Sequence, residues 1–480
     1  MAFYDEPLLF GGLPLNKENR WIRLAAQIPW ARVEDEYRKQ FTKQVGQAAK
    51  SARFALGCLI VKEEMQLSDR DTVALIRENP YIQYFLGCAS YNYDLSLDAS
   101  LLTYFRKRFP AELMAQVNEW IVEAQTVSKE DESNNEDDDK PQGSSTASDG
   151  SGAEETGGTL ILDATCAPQD IQYPTDVRLL HEARLQLERM MDTLQTGRSE
   201  AKPRSYRQKA NKAYKRFARN RRPNKKLVRA ALRAQLQYVA RNLQLVQDMQ
   251  TDSNVSLTPK QLRYLTTIQA LYEQQKLMYE NKQHRCDDRI VSIHQPYVRP
   301  IVRGKATAGT EFGAKLTVAV VDGYAEISKL SWDAYNESGD LIEAAEAYKT
   351  RYGHYPKRIL ADKIFRTRTN LAYCHRQGIH LNGPPLGRPP KDRSLYDEQI
   401  RLEREEAGER NEVEGTFGTG KRRLSLNRIM TRLQETSETQ IHLVFVVMNL
   451  RKILRDLFVQ FFRVASRHQR VQLILFERVA

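Results

Sequence analysis

Apolar residues recur at helical spacing in Leu24 to Arg32, Phe54 to Lys62 and Asp71 to Glu78, with turn signals at Pro29, Gly57 and Pro80. This pattern predicts an all-helical N-terminal domain over residues 1–127. The stretch 128–158 is acidic, rich in Ser and Gly and nearly devoid of apolar side chains. Such a segment buries too little to offset the entropy of ordering and reads as a disordered linker. Thr159 to Asp163 (TLILD) is a short apolar strand, followed by turns at Pro168 and Pro174 and a long charged helical stretch, Val177 to Asn281. Strand patterns resume at Arg289 to His294, Phe312 to Val321 and Tyr324 to Ser328, with Asp322-Gly323 as a hairpin turn between the last two. Then come a helix from Trp332 to Arg351, a strand from Arg358 to Ala361, a helix from Lys363 to Gln377 and a strand from Gly378 to Leu381. Glu412 to Leu433 and Ile441 to Arg467 read as helices, the last with an apolar stripe suited to packing on a sheet, and 468–480 as a tail. The fold class is therefore α/β: a mixed sheet within 159–467, interrupted by a helical insertion at about 177–288.

The chain has 480 residues and a formal net charge of +12, an excess that favours a polyanionic partner such as nucleic acid. The longest apolar run near the end, Leu443 to Met448, is followed at once by Asn449, Arg451 and Lys452, so no membrane span is expected. The first residues lack a signal-peptide pattern, and the protein reads as cytoplasmic. The five cysteines are scattered and never spaced as Cys-x-x-Cys, which points to reduced structural thiols.

The positive charge is concentrated. Residues 202–233 hold Arg207, Lys212, Lys215, Arg216, Arg219, Arg221, Arg222, Lys225 and Lys226 among others, with no acidic residue, and Tyr206, Tyr214 and Phe217 interleave at roughly helical spacing. A basic helix pair that follows DNA phosphates is expected, with its aromatic stripe packed inward. Arg20, Arg23, Arg32, Lys39, Lys43, Lys50 and Arg53 make the N-terminal domain a second candidate DNA surface. Arg303-Gly304-Lys305 and the Gly/Pro loop 383–390 are lesser ones.

Asp163 and Asp362 each end an apolar strand, so both are expected at the carboxyl edge of a sheet. In RNEVEGTFGTGKRR, the spacing of Arg410, Glu414 and Lys421 sets them on one helical face, while Glu412 points elsewhere. Phosphodiester chemistry with two divalent ions needs such carboxylates.

The runs LILDATCAPQDIQYPTD, RGKATAGTEFGAKL, RYGHYPKRILADKIFRTRTN, GPPLGRPP and RNEVEGTFGTGKRRL resemble those of DDE transposases from bacterial insertion sequences, in the group called insertion sequence family five. The resemblance implies a ribonuclease H-like catalytic domain, with the first Asp on the first strand, the second just after the fourth and the Glu on a following helix. Motif by motif, these are Asp163, Asp362 and Glu414, the catalytic residues and metal ligands. Arg410 and Lys421 keep the spacing of the family's third motif and would contact DNA phosphates, whereas Ala407 stands where the family has Tyr. The implied cofactor is two Mg²⁺ or Mn²⁺ ions. The implied partners are double-stranded DNA, as terminal inverted repeats and target, and a second copy of the chain in a synaptic homodimer. The expected reaction is cleavage at the element end followed by strand transfer. A DNA-binding repressor derived from a transposase, or a nuclease with no joining step, are the alternatives.

Overall fold

The computed structural model describes residues 8–41, 49–135, 158–302, 309–384 and 393–479. It begins with a hairpin, β1 (Leu8–Phe10) and β2 (Leu13–Leu15), turning at Gly11 and Gly12, both at positive φ. Here the sequence pattern suggested only helix. The helices α1 (Arg20–Gln27), α2 (Trp30–Lys39), α3 (Ala52–Met65), α4 (Asp69–Glu78), α5 (Pro80–Phe85), α6 (Leu101–Arg108) and α7 (Ala111–Asn135) follow. Ser68 caps α4 through the Asp71 N–H, and Asn79 caps α5 with Pro80 in its first turn. Gly57 marks no turn. It lies inside α3, where a Cβ would stand 2.5 Å from Leu86 Cδ2, so its role is close packing. Helix α7, whose first half is packed, continues into the expected linker as far as Asn135. Residues 136–157 lie outside the described residues.

β3 (Thr159–Pro168) is longer than the expected strand. Asp163 is therefore mid-strand rather than terminal, because β5 (Thr310–Val321) pairs with β3 along Ile161–Pro168 and continues the ladder past it. The insertion comprises α8 (Asp176–Gln195), α9 (Arg207–Ala218), α10 (Lys225–Asp252) and α11 (Pro259–Glu280). It has its own core, including Leu180, Leu187, Val239, Val246, Ile268 and Leu271. Arg289 to His294, expected as a strand, is a loop instead, since Ile290 and Ile293 bury into that helical core and not against a sheet edge.

β4 (Arg299–Val302), β5 and β6 (Tyr324–Ser331) run antiparallel, and the β5–β6 turn has Asp322 at φ 51° and Gly323 at φ 77°, the two-residue hairpin expected of Asp-Gly. α12 (Asp340–Tyr352) starts eight residues after Trp332, which instead buries its ring against Tyr297 and donates Nε1–H to Glu438. β7 (Arg358–Ala361) follows, then a 3-10 turn at Lys363–Phe365, α13 (Arg368–Arg376) and β8 (His380–Leu381). α14 (Arg393–Arg423) begins well before Glu412 and stops at Arg423, and α15 (Gln434–Val479) runs on through the expected tail. Most of the loop 383–390 and all of Arg303-Gly304-Lys305 fall outside the described residues.

The sheet order is β4-β5-β3-β7-β8, with β6 also on β5; β7 is parallel to both β3 and β8. One sheet face, with Ile161, Val318 and Leu360, shares a single core with the N-terminal helices and α15, through Trp21, Leu56, Phe105, Val117, Phe445 and Ile441. Asn449 of α15 locks the junction: its Nδ2 donates to Asn118 Oδ1 at 2.9 Å, and its Oδ1 accepts the Ala325 N–H at 2.9 Å. The other face packs Leu160, Leu162 and Ile359 against α12 and α13. Among the described residues, no helix is long and apolar enough to cross a membrane.

Candidate active site

Adjacent strand register brings the two aspartates together. Leu162 pairs with Ala361 in the parallel β3–β7 ladder, so Asp163 and Asp362 occupy the next position on each strand. By the two-residue alternation of strands, both share the face of Ile161 and Leu360, the face on which α14 lies. β7 ends there and β3 continues, which leaves Asp163 half-buried and Asp362 exposed. The Ala164 N–H donates to Asp163 Oδ1 at 2.7 Å, and the Lys363 N–H donates to Asp362 Oδ1 at 2.7 Å. Burial pushes the Asp163 carboxyl above its ordinary range; the Ala164 N–H and Arg410 oppose the shift, and Asp362 and Glu414 reinforce it.

α14 runs over these strands with one stripe of side chains. Buried Glu406 meets His380 Nε2 of β8 at 2.5 Å. Glu409 accepts from both terminal nitrogens of Arg358 on β7, at 3.1 and 2.6 Å, while Arg358 Nε–H donates to Thr159 on β3. Arg410 Nη1 stands 3.5 Å from Asp362 Oδ1, and Val413 is fully buried in the shared core. Glu414 comes one residue later and is exposed. The steps 406, 409, 410, 413 and 414 are the i, i+3, i+4, i+7, i+8 pattern of one helix face. Glu412 points away: a Cβ on Gly323 of the β5–β6 turn would come 2.8 Å from its Oε1.

Beyond its last turn, α14 is tethered to the N-terminal helices. Glu63 of α3 is buried and accepts the Ser425 N–H at 2.9 Å, the Ser425 hydroxyl at 3.0 Å and a Gln440 Nε2–H. Sequence reasoning missed Arg358, Glu409, Glu406 and Glu63, the supports that aim the helix. Glu409 and Arg358 lie far apart in the chain, and nothing in local spacing pairs them.

The donor set suits a hard divalent cation: all the candidate ligands are carboxylates, and a half-buried aspartate beside two other acids gains from a nearby positive charge. Among the described residues, no three His, Cys, Asp or Glu side chains stand close enough together to hold an ion. Arg410 supplies the neighbouring positive charge, and Glu414 stands one turn further along α14. None of the five cysteines forms a disulfide among the described residues, and Cys166 falls on the strand face opposite Asp163 by alternation.

The basic segment forms α9 and the first turns of α10. Lys212, Lys215, Arg216, Arg219, Arg221, Arg222, Lys225 and Lys226 are exposed, and among the described residues none of them makes an ion pair. Arg207 is different: its guanidinium pairs with Asp192 of α8 at 2.9 Å, so part of the run anchors α9. Tyr214 stacks on His181 with ring centroids 3.5 Å apart, and this burial, with Arg184 nearby, lowers the His181 pKa to about 4.

Two family models match separate stretches of the chain. Residues 359–451 match a Transposase DDE domain, a stretch that opens on β7 and includes Asp362, Arg410, Glu414 and Lys421. Residues 13–108 match a Transposase domain (DUF772), which spans β2 to α6. A Rhizobium meliloti protein, described as uncharacterized protein ORF8 in the nfe locus, is 29% identical over 169 residues, covering 35% of this chain and 71% of its own length. No solved structure matches.

Proposed function

We propose that this chain, similar to a DDE transposase domain in one stretch and to a second transposase domain in another, cuts DNA at the ends of a mobile element and joins them to target DNA, with Asp163, Asp362 and Glu414 as its catalytic carboxylates. One observation carries the reading: α14 lays a single stripe, from Glu406 to Glu414, over β8, β7 and β3, where Asp163 and Asp362 stand in adjacent register. Support for a ribonuclease H-like sheet comes from its order, with the first Asp on β3, the second just past parallel β7 and the Glu on a later helix.

The residues divide the work. Asp163 and Asp362 are each held through Oδ1 by a backbone N–H, and among the described residues no hydrogen bond takes Oδ2 of either. Those oxygens and the exposed Glu414 carboxylate are the atoms that would hold Mg²⁺ or Mn²⁺. A bound pair of such ions supplies the charge that activates an attacking hydroxyl and stabilises the leaving oxygen. Arg410, now on Asp362, is within reach of an incoming phosphate and exchanges one anionic partner for the other. Lys421 lies about three turns beyond Arg410 on the same face, placed to contact the next phosphate. The carboxylate edge thus orients the scissile phosphate for in-line attack by water, and then presents the freed 3′-hydroxyl to target DNA. The exposed cations of α9 and α10, including Arg219, Arg221, Arg222 and Lys226, bind the duplex. Two copies would synapse two ends.

Joining separates this activity from that of a nuclease or a repressor. Incubation of the full chain with Mg²⁺, an end-labelled duplex carrying the element terminus and a supercoiled plasmid should give nicked ends and then label covalently attached to the plasmid. Nicks without joined label would indicate a nuclease, and binding without either product a repressor.

A further inference from the structure

The cations of α10 lead into a groove. Lys225 and Arg229 line a cavity of about 360 Å³ together with Leu232, Tyr279 and Lys282. This space shares Met278, Gln283 and His284 with a second cavity of about 730 Å³, which reaches the sheet between the end of α11 and the β4–β5 edge. The two make one track from the basic helices to the exit of β3. Its floor is apolar and aromatic. Arg229 stacks on Tyr279 at 4.3 Å, Tyr173 packs edge-on against Phe312 at 5.7 Å, and Tyr173, Leu277 and Val302 are 71%, 54% and 72% exposed. Monomeric proteins seldom leave large apolar side chains open along one groove without a partner for them. Lys282 and Arg285 are exposed on the rim beside the exposed Asp287 of the second cavity, and Asp176, the acid in the first cavity, is already paired with Arg289 at 2.7 Å. The rim loop also holds Lys282 at φ 54° and Asp288 at φ 49°, left-handed conformations costly for side-chain-bearing residues.

We infer that this groove binds an unpaired stretch of DNA, its bases on the Tyr173, Phe312 and Tyr279 surfaces and its backbone beside Lys225, Lys282 and Arg285. Cationic walls over an aromatic floor are the chemistry that recognises single strands without regard to sequence, whereas a duplex hides the base faces that such a floor needs. Position supports that occupant. The groove opens at the end of β3, roughly 17 Å along the strand from Asp163, or about five nucleotides at the 3.4 Å per-strand rise of a duplex. A strand separated near the cut would reach it. This inference rests on the proposed function, since it takes DNA as the substrate.

The test is fluorescence anisotropy with the full chain, using a labelled twelve-nucleotide oligo-dT and a labelled duplex of equal length. Tyr173→Ala with Arg285→Ala alters two exposed residues outside the proposed catalytic site. The pair should weaken oligo-dT binding by about tenfold or more, the effect of losing a stacked base and a phosphate contact, and leave duplex binding within about twofold. No oligo-dT binding by the wild type, an unchanged oligo-dT affinity in the variant, or equal losses on both probes would overturn the groove. Failure of the proposed function looks different: the wild type would leave duplex ends uncut with Mg²⁺ present, whatever the oligo-dT result. A melting temperature matching wild type confirms that the variant is folded.

Discussion

Asp163→Asn, Asp362→Asn and Glu414→Gln should each lower cleavage of a labelled element end by about 10³-fold or more while leaving duplex binding within about twofold. The large factor follows from the roles: carboxylates that together orient one reacting centre act as a unit, so losing any one removes most of the rate. Binding survives because the exposed cations of α9 and α10 are untouched. Asp163→Asn also has a signature in stability. Its carboxyl is pushed up mainly by burial, so the folded state disfavours the charged form more than the unfolded chain does, and this group's contribution to stability falls as pH rises. Asn removes that charge and can still accept the Ala164 N–H. The melting temperature at pH 7 should therefore equal or exceed wild type, the pattern of a residue kept for activity at some cost in stability. Glu412→Ala should keep most activity, since that side chain lies by the β5–β6 turn. A dead Glu412 variant beside an active Glu414 variant would show that the wrong glutamate has been assigned.

Replacing Lys212, Lys215, Arg216 and Arg219 together by Ala should produce the largest loss of binding. Each phosphate contact contributes about 0.9 to the slope of log affinity against log salt, so four contacts should flatten it by about three to four units. Affinity should fall across all duplex sequences alike, because phosphate contacts carry no sequence information. Arg207→Ala is a useful contrast. That guanidinium pairs with Asp192, so its loss should loosen the seating of α9 more than it flattens the salt slope. An unchanged slope in the fourfold variant would mean that α9 is a solvated face.

The sequence makes the aspartates legible but not the way they meet. Apolar runs ending in Asp mark Asp163 and Asp362, and the spacing of Arg410, Glu414 and Lys421 marks one face of α14. That β7 lies parallel to β3 with Asp362 beside Asp163 is a matter of register across the chain, which local periodicity cannot carry. The length of β3 is hidden for a similar reason, because its second half, Ala164 to Pro168, carries small residues without a strong strand pattern and is held by β5. The early start of α14 was missed since residues 393–411 are so charged that no apolar stripe shows; the helix is fixed instead by Glu406 with His380 and by Glu409 with Arg358. The short apolar run at Ile290 and Ile293 fits either a sheet or a helical core by pattern alone, and here the core of the insertion takes them. Helical periodicity marks the N-terminal helices as a domain, and in the structure they share one core with the sheet and α15, with Glu63 tying them to the end of α14.

The central claim, that Asp163, Asp362 and Glu414 act as one oxygen-donor metal site, is tested most directly by the metal dependence of cleavage in wild type and Glu414→Asp. Wild type should cut a labelled element end with Mg²⁺ or Mn²⁺, bind it without efficient cleavage in Ca²⁺, and need no Zn²⁺. Glu414→Asp, shorter by one methylene or about 1.5 Å, should be inactive in Mg²⁺ and partly restored by Mn²⁺, which makes looser geometric demands. Cleavage that survives EDTA, or a Glu414→Asp variant as active as wild type in Mg²⁺, would contradict it.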